Sequence, residues 1–202
     1  MLDKYRQKAE YILEPIAERI SMEANWLTYL SLLFALFAGI ASFLSFEKRY
    51  FLLFASLCIF INGLLDALDG KIARMKGKAS KKGDFVDHAI DRFSDALIIG
   101  GIALSPWVDK LIAIPAIATV LLVSYLGTQA QAVGYKRVYA GALGRADRIA
   151  ILFFACILQF FFDKFFGFYL LEWVMIYFIV AGVITIVQRY FAVMKWFGND
   201  KR

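Results

Sequence analysis

The sequence predicts an all-α integral membrane protein: six transmembrane helices preceded by an amphipathic helix lying on the membrane surface. Three observations carry that expectation. The 202 residues are 61% hydrophobic and 17% aromatic, and the mean hydropathy is +0.63, too apolar for a soluble domain of ordinary composition. Six segments have the length of about 20 residues that crosses a hydrocarbon core; they lie at 26–46, 50–73, 86–104, 111–131, 149–166 and 168–191. The basic residues alternate between the loops. Eighteen of the lysines and arginines fall before the first segment, in the second and fourth loops and at the C-terminal end, whereas Lys48, Arg49, Lys110 and Lys164 occupy the opposite set and Arg92 lies inside a span. By the positive-inside rule both termini then face the cytoplasm.

Residues 1–24 open the chain with LDKYRQKAEYILEPIAERI, in which Leu2, Tyr5, Ala9, Ile12, Leu13, Ile16 and Ile20 recur at spacings of three and four between charges. This is the pattern of a juxtamembrane helix resting on the cytoplasmic surface, with Pro15 as a point of bending. No signal peptide is evident in the charged start, so the first span is expected to act as its own insertion signal. Residues 26–191 form the six-helix core, and the whole of 1–202 is expected to be one membrane domain without a soluble partner domain.

The net charge of +6 is explained by topology and by proximity to anionic headgroups, so nucleic acid is not an expected partner. Cys58 and Cys156 both fall in apolar spans and lack metal or redox spacing; they are expected to be small core residues.

The segment DALDGKIARMKGKASKKGDFVDHAID, residues 66–91, places carboxylates at the junction of the second and third spans. Ionisable groups in spanning helices are costly and are functional by default. Asp66 and Asp69 share a helical face, and Gly83, Asp87 and Asp91 stack at intervals of four on the next helix. Four carboxylates converging in one cavity must protonate or bind cations. An all-oxygen donor set favours Mg²⁺ or Mn²⁺, and a pair of ions suits a phosphoryl displacement. Gly70, Ala73 and Gly83 would leave room for a ligand, and Arg74 would neutralise a phosphate. Asp84 is expected at the helix start, Asp95 as a partner of Arg92, and His88 off the carboxylate face as an interface residue.

Asp66, Asp69, Gly70, Ala73, Arg74, Gly83, Asp87 and Asp91 reproduce the pattern D-x2-D-G-x2-A-R-x8-G-x3-D-x3-D, and on it the chain resembles the CDP-alcohol phosphatidyltransferase family. The six-span layout extends the resemblance over nearly the whole chain. The resemblance implies a phospholipid-synthesising transferase that joins a CDP-activated lipid to an alcohol and releases CMP. Asp66, Asp69, Asp87 and Asp91 would hold the divalent metals, two ions in all, with Asp91 also the general base. Asp66, Asp69, Gly70, Ala73, Arg74 and Gly83 would bind the CDP-lipid. Asn25 and Thr28 would join them, in a stretch similar to the family's P-N-x-x-T element with Ala24 in the proline position. The family also implies a homodimer.

The acceptor has to be read from SYLGTQAQAVGYKRVYAGALGRADR, between the fourth and fifth spans. Its Lys136, Arg137, Arg145 and Arg148 suit an acceptor that carries a phosphate, although membrane topology alone also accounts for cations there. Gly127, Gln129 and Gln131 stand where relatives acting on glycerol or inositol phosphates have Arg, Arg and Glu. Within the family this stretch, with GDFVDHAIDR and ALIIGGIALS, is most similar to archaetidylinositol phosphate synthases. The lipid would then be CDP-archaeol or CDP-diacylglycerol, and the acceptor myo-inositol phosphate. Glycerol 3-phosphate and serine are the alternatives within the same chemistry. An intramembrane prenyltransferase is more remote, since its carboxylates usually occur in two separated, similar motifs, whereas these are clustered at one junction. A cation transporter would need acids distributed through the other spans.

Overall fold

The computed structural model describes residues 6–78, 80–136, 138 and 141–200; Leu2, Tyr5 and Arg137 therefore lie outside the described residues. The elements are α1 (Arg6–Arg19), α2 (Ala24–Leu44), α3 (Tyr50–Met75), α4 (Lys81–Leu104), α5 (Lys110–Ala132), α6 (Arg145–Phe161), a two-residue strand pair β1 (Lys164–Phe165) and β2 (Phe168–Tyr169), and α7 (Leu170–Asp200). Each predicted span corresponds to one long helix, α2 to α7.

By length and composition, α2, α3, α5 and α7 are each apolar enough to cross a membrane. The N-terminal half of α4 carries the site charges, and α6 has only 17 residues. The outward faces of the helices are apolar: Phe37, Ile40 and Phe43 on α2, Phe54, Leu57 and Phe60 on α3, and Val180, Val183 and Ile184 on α7 are all exposed. In water such surfaces would drive association; in a bilayer they meet lipid. The protein is a multi-pass membrane protein.

Helix α2 packs on both α3 and α4, α3 on α6, and α5 on α7, while α4–α5 and α6–α7 contacts join the groups into one bundle. The core is filled by Leu52, Ile59, Ile98, Ile102, Leu143, Leu152 and Phe178, with free Cys58 and Cys156 buried among them, as expected for small core residues. Small side chains set the closest approach. A Cβ on Gly101 would lie 2.6 Å from the Gly39 Cα, and one on Gly39 would meet the Leu97 carbonyl. Only glycine lets α2 and α4 cross so tightly, a recurrent device of membrane helices. Gly101→Ala is expected to destabilise the bundle by about 1–3 kcal/mol through forced separation of two backbones, to be read as a lower unfolding midpoint in detergent. An unchanged midpoint would show that the crossing is looser than described.

Just inward of the acidic end lies a polar layer. Asn62 Nδ2 donates to the Ser31 carbonyl (2.8 Å) and lies 3.5 Å from Ser94 Oγ, tying α3 to α2 and α4. At the opposite end Trp107 Nε1 donates to Ser45 Oγ (2.8 Å), its ring meets Phe46 and Tyr169 edge-on, and Glu172 accepts the Asp109 N–H (3.0 Å). Helix α1 docks on the acidic end of α3. Ala17 is buried with Leu27, Leu68 and Ile72, and Lys71 pairs with Glu14 at 3.0 Å. Pro15 lies within α1.

Candidate active site

The acidic site forms where α3 ends and α4 begins. Between them Ser80 caps α4, its Oγ accepting the Gly83 N–H at 3.1 Å. The cap is therefore Ser80, with Asp84 one turn inside, its N–H donated to the Ser80 carbonyl at 3.0 Å. Because the two helices run antiparallel, their carboxylates meet at one level. Oxygens of Asp66, Asp69 and Asp87 lie within 4.8 Å of one another, and ligand atoms of Asp87, His88 and Asp91 do likewise. Asp87 belongs to both groups.

Two features of this cluster differ from the sequence expectation. His88 does not point away from the carboxylates. Its Nδ1 lies 3.2 Å from Asp87 Oδ2 and its Nε2 3.2 Å from Asp84 Oδ1, because its ring lies back over the preceding turn as helical side chains do. Thr28, expected to touch the nucleotide, is buried at 4% exposure and its Oγ1 donates to Asp69 Oδ2 at 2.6 Å. It therefore orients a carboxylate of the cluster.

The positive side of the site comes from α6. Gly144 precedes its first turn, and the Gly144 N–H donates to Asp147 Oδ2 at 3.1 Å. Arg145 follows, and its Nη1 pairs with Asp66 Oδ2 and lies 2.9 Å from Asp91 Oδ1. One turn on, Arg148 Nη2 donates to Asp95 Oδ2 at 2.5 Å, with both side chains 2% exposed. Arg148, expected at an acceptor phosphate, is here paired inside the bundle, and a buried guanidinium paired with a buried carboxylate is costly to separate. Arg92 donates to Asp91 Oδ2 at 3.2 Å, and its Nε lies 3.9 Å from Asp95. Asp95 hence serves Arg148, Arg92 and, at 4.0 Å, Arg145 Nε. This hub was legible in part: Asp87, Asp91 and Asp95 continue one ladder of four, and Arg145 and Arg148 share a face at a spacing of three.

The remaining predicted residues are spread more widely. Asn25, Arg74 and Lys136 are exposed, and Ala73 is half-buried. A Cβ on Gly70 would meet only Arg74 Nη1, at 3.3 Å, and one on Gly83 only Ser80 Oγ, at 3.4 Å. Among the described residues, packing does not demand glycine at either position. Arg189 was read in the sequence only as a topological charge; it is 7% exposed, and its Nη1 donates to the Val123 carbonyl at 2.5 Å. Gly127 makes room for it, since a Cβ there would lie 2.8 Å from that nitrogen. The glycine in place of a longer residue at 127 was the available signal.

The donor set fits a hard divalent cation. Asp66, Asp69 and Asp87 offer oxygen alone, the chemistry of Mg²⁺ or Mn²⁺ rather than of zinc or copper. Among the described residues, Asp91 Oδ1, Arg145 Nε and Arg145 Nη2 are buried without a hydrogen-bond partner. The 2.9 Å contact of Asp91 with Arg145 is thus a charge contact, not an aligned hydrogen bond. Such atoms beside an acidic cluster suit a site completed by polar ligands.

Fold and site together define a helical membrane enzyme with an acidic, arginine-framed centre at one end of the bundle. The CDP-alcohol phosphatidyltransferase family profile matches residues 22–187, and the chain belongs to that family. It is 35% identical over 158 residues to the archaetidylinositol phosphate synthase of Pyrococcus horikoshii, covering 77% of this chain and 81% of the relative. The enzyme of the same name from Methanothermobacter thermautotrophicus is 32% identical over 75% of each chain. Among solved structures, Mycobacterium tuberculosis phosphatidylinositol phosphate synthase with CDP-DAG bound superposes with a TM-score of 0.72 at 25% identity, covering 91% of this chain and 94% of that one. The same enzyme in complex with manganese and citrate gives 0.72 at 25% identity, covering 89% and 88%. This chain is a CDP-alcohol phosphatidyltransferase.

Proposed function

We propose that this enzyme transfers the archaetidyl or phosphatidyl group of a CDP-activated lipid to a hydroxyl of myo-inositol phosphate and releases CMP. The observation that carries the choice of acceptor is Arg145. Its guanidinium stands between Asp66 and Asp91, and among the described residues its Nε and Nη2 have no hydrogen-bond partner, so a cation with open donors adjoins the base. Such a fork suits an acceptor bearing its own phosphate. The names of the two archaeal relatives and of the mycobacterial structure support the same acceptor. Lys136 and Arg137, in the α5–α6 loop, would assist, while Arg148 acts through Asp95.

Asp66, Asp69, Asp87 and Asp91 would hold Mg²⁺ or Mn²⁺, two ions on this reading. The metal would supply neutralisation of the pyrophosphate and of the charge growing on the departing CMP. Gly70, Ala73, Arg74 and Gly83, with Asn25, would border the nucleotide. Asp91 takes the proton of the acceptor hydroxyl as its oxygen bonds to the lipid-linked phosphorus and the bridging P–O bond to CMP breaks. Thr28 holds Asp69, and Arg92 holds Asp91. The lipid chains remain in the bilayer beside the apolar helix faces. We further assign six spans in a single domain with both termini and the site cytoplasmic, and a homodimeric assembly.

The test is CMP release by purified protein from CDP-archaeol or CDP-diacylglycerol, with myo-inositol 1-phosphate, inositol, glycerol 3-phosphate and serine compared as acceptors. Turnover with inositol phosphate, lowered about 10–100-fold in kcat/KM by Arg145→Ala, is expected. Preference for serine or free inositol would overturn the acceptor while leaving the family chemistry in place.

A further inference from the structure

We infer that Thr185, on α7, is a positioning residue for Arg145 and thereby sets how the acceptor is held; this rests on the acceptor role proposed above for Arg145. Thr185 is fully buried, and its hydrogen bonds go to α7 and to the loop before α6 rather than to the acidic cluster. Its Oγ1 accepts the N–H groups of Ala142 (3.0 Å) and Leu143 (3.1 Å) and donates to the Ala181 carbonyl (2.7 Å). A hydroxyl has one proton and two lone pairs. All three are used here.

Those two N–H groups belong to the strand of loop that delivers α6. Gly141 passes directly against the Thr185 side chain at a φ of +138°, and a Cβ at that glycine would lie 3.0 Å from Thr185 Cβ. Leu143 is then buried in the core, the Gly144 N–H goes to Asp147, and Arg145 begins the helix. Every N–H from 142 to 144 is thus satisfied immediately before the arginine. Two of the three depend on one side chain of another helix.

Packing of α6 itself does not replace this tie. The first apolar side chain of α6 packed on the core is Ile149, four positions beyond Arg145, so the turn that carries Arg145 is located by its cap, by the Arg148–Asp95 pair one turn on and, from the loop side, by Thr185. A small displacement there moves the guanidinium relative to Asp66 and Asp91, and misplacement of an orienting group by about 1 Å can cost on the order of a hundredfold in rate. Thr185 is also one turn before Arg189, the buried arginine that reaches the Val123 carbonyl. The same face of α7 therefore braces both the α5 end and the α6 start.

The experiment uses the full-length enzyme in detergent or nanodiscs. Thr185→Val keeps shape but removes the acceptor; Thr185→Ser restores it, and Thr185→Ala is a second variant should valine fail to fold. The KM for inositol phosphate is expected to rise about tenfold in Thr185→Val, with the KM for CDP-lipid within about twofold and Thr185→Ser near wild type. In a double-mutant cycle with Arg145→Lys, the Thr185→Val loss should largely disappear, because residues acting through one another are not additive. Equal losses on both substrates, additive losses in the cycle, or no change in Thr185→Val would overturn the inference. If Arg145→Lys alone leaves acceptor kinetics untouched, the Arg145 reading has failed. If Arg145→Lys impairs them and Thr185→Val does not, only the positioning role has.

Discussion

Asp91→Asn is expected to lower CMP release by about a hundred- to ten-thousandfold, the range for loss of a positioned general base. Asp91 is 6% exposed; its Oδ2 accepts a bond from Arg92 at 3.2 Å, while Oδ1 has no aligned donor. On the proposed mechanism that second oxygen would take the proton. Asparagine keeps the volume of the side chain but cannot take the proton. It also leaves Arg92 and Arg145 with one buried countercharge fewer, which costs stability when a buried pair is broken. Binding of CDP-lipid and the unfolding midpoint should therefore be measured beside the rate. A variant that binds CDP-lipid, stays folded and has lost turnover would match the assignment. Activity within about tenfold of wild type would place the base elsewhere.

Removal of divalent metal by a chelator is expected to take CMP release to background, with recovery on adding Mg²⁺ or Mn²⁺. Asp66, Asp69 and Asp87 bring three carboxylate oxygens within 4.8 Å of one another, and Arg145 contacts only Asp66 of the three. Carboxylates so close repel one another, and a divalent cation among them would relieve that repulsion. Thr28→Val offers a graded version, because it removes the 2.6 Å bond that orients Asp69. Loss of such a supporting bond commonly weakens metal affinity by about 10–100-fold, so the metal concentration for half-maximal activity should rise while the saturating rate changes little. Full turnover in excess chelator would refute the metal assignment altogether.

The helices were legible because burial in lipid imposes long apolar runs, and α2, α3 and α5 begin and end within two residues of the predicted spans. The ends that differ have local causes. Helix α4 starts at Lys81, five residues before the apolar run, because Ser80 caps a charged first turn that hydropathy does not register. The apolar run of the fifth predicted span reaches residue 166, but α6 stops at Phe161 and Gly167 turns a short strand pair at φ +83°. Phenylalanines are equally apolar in a helix and in a hairpin, so composition could not separate the two.

Sequence alone determined the carboxylate ladder and the family, since spacings of three and four put Asp66 with Asp69 and Asp87 with Asp91 on shared faces whatever surrounds them. Only the tertiary structure decided how those side chains are partnered. Thr28 meets Asp69 across 41 positions, Arg148 meets Asp95 across 53, and Thr185 meets Ala142 across 43. A helical period specifies which residues share a face of one helix. The partners across a bundle depend on how closely helices approach and where each begins, and here those are set by the Gly39–Gly101 crossing, by the Ser80 cap and by the loop held on Thr185.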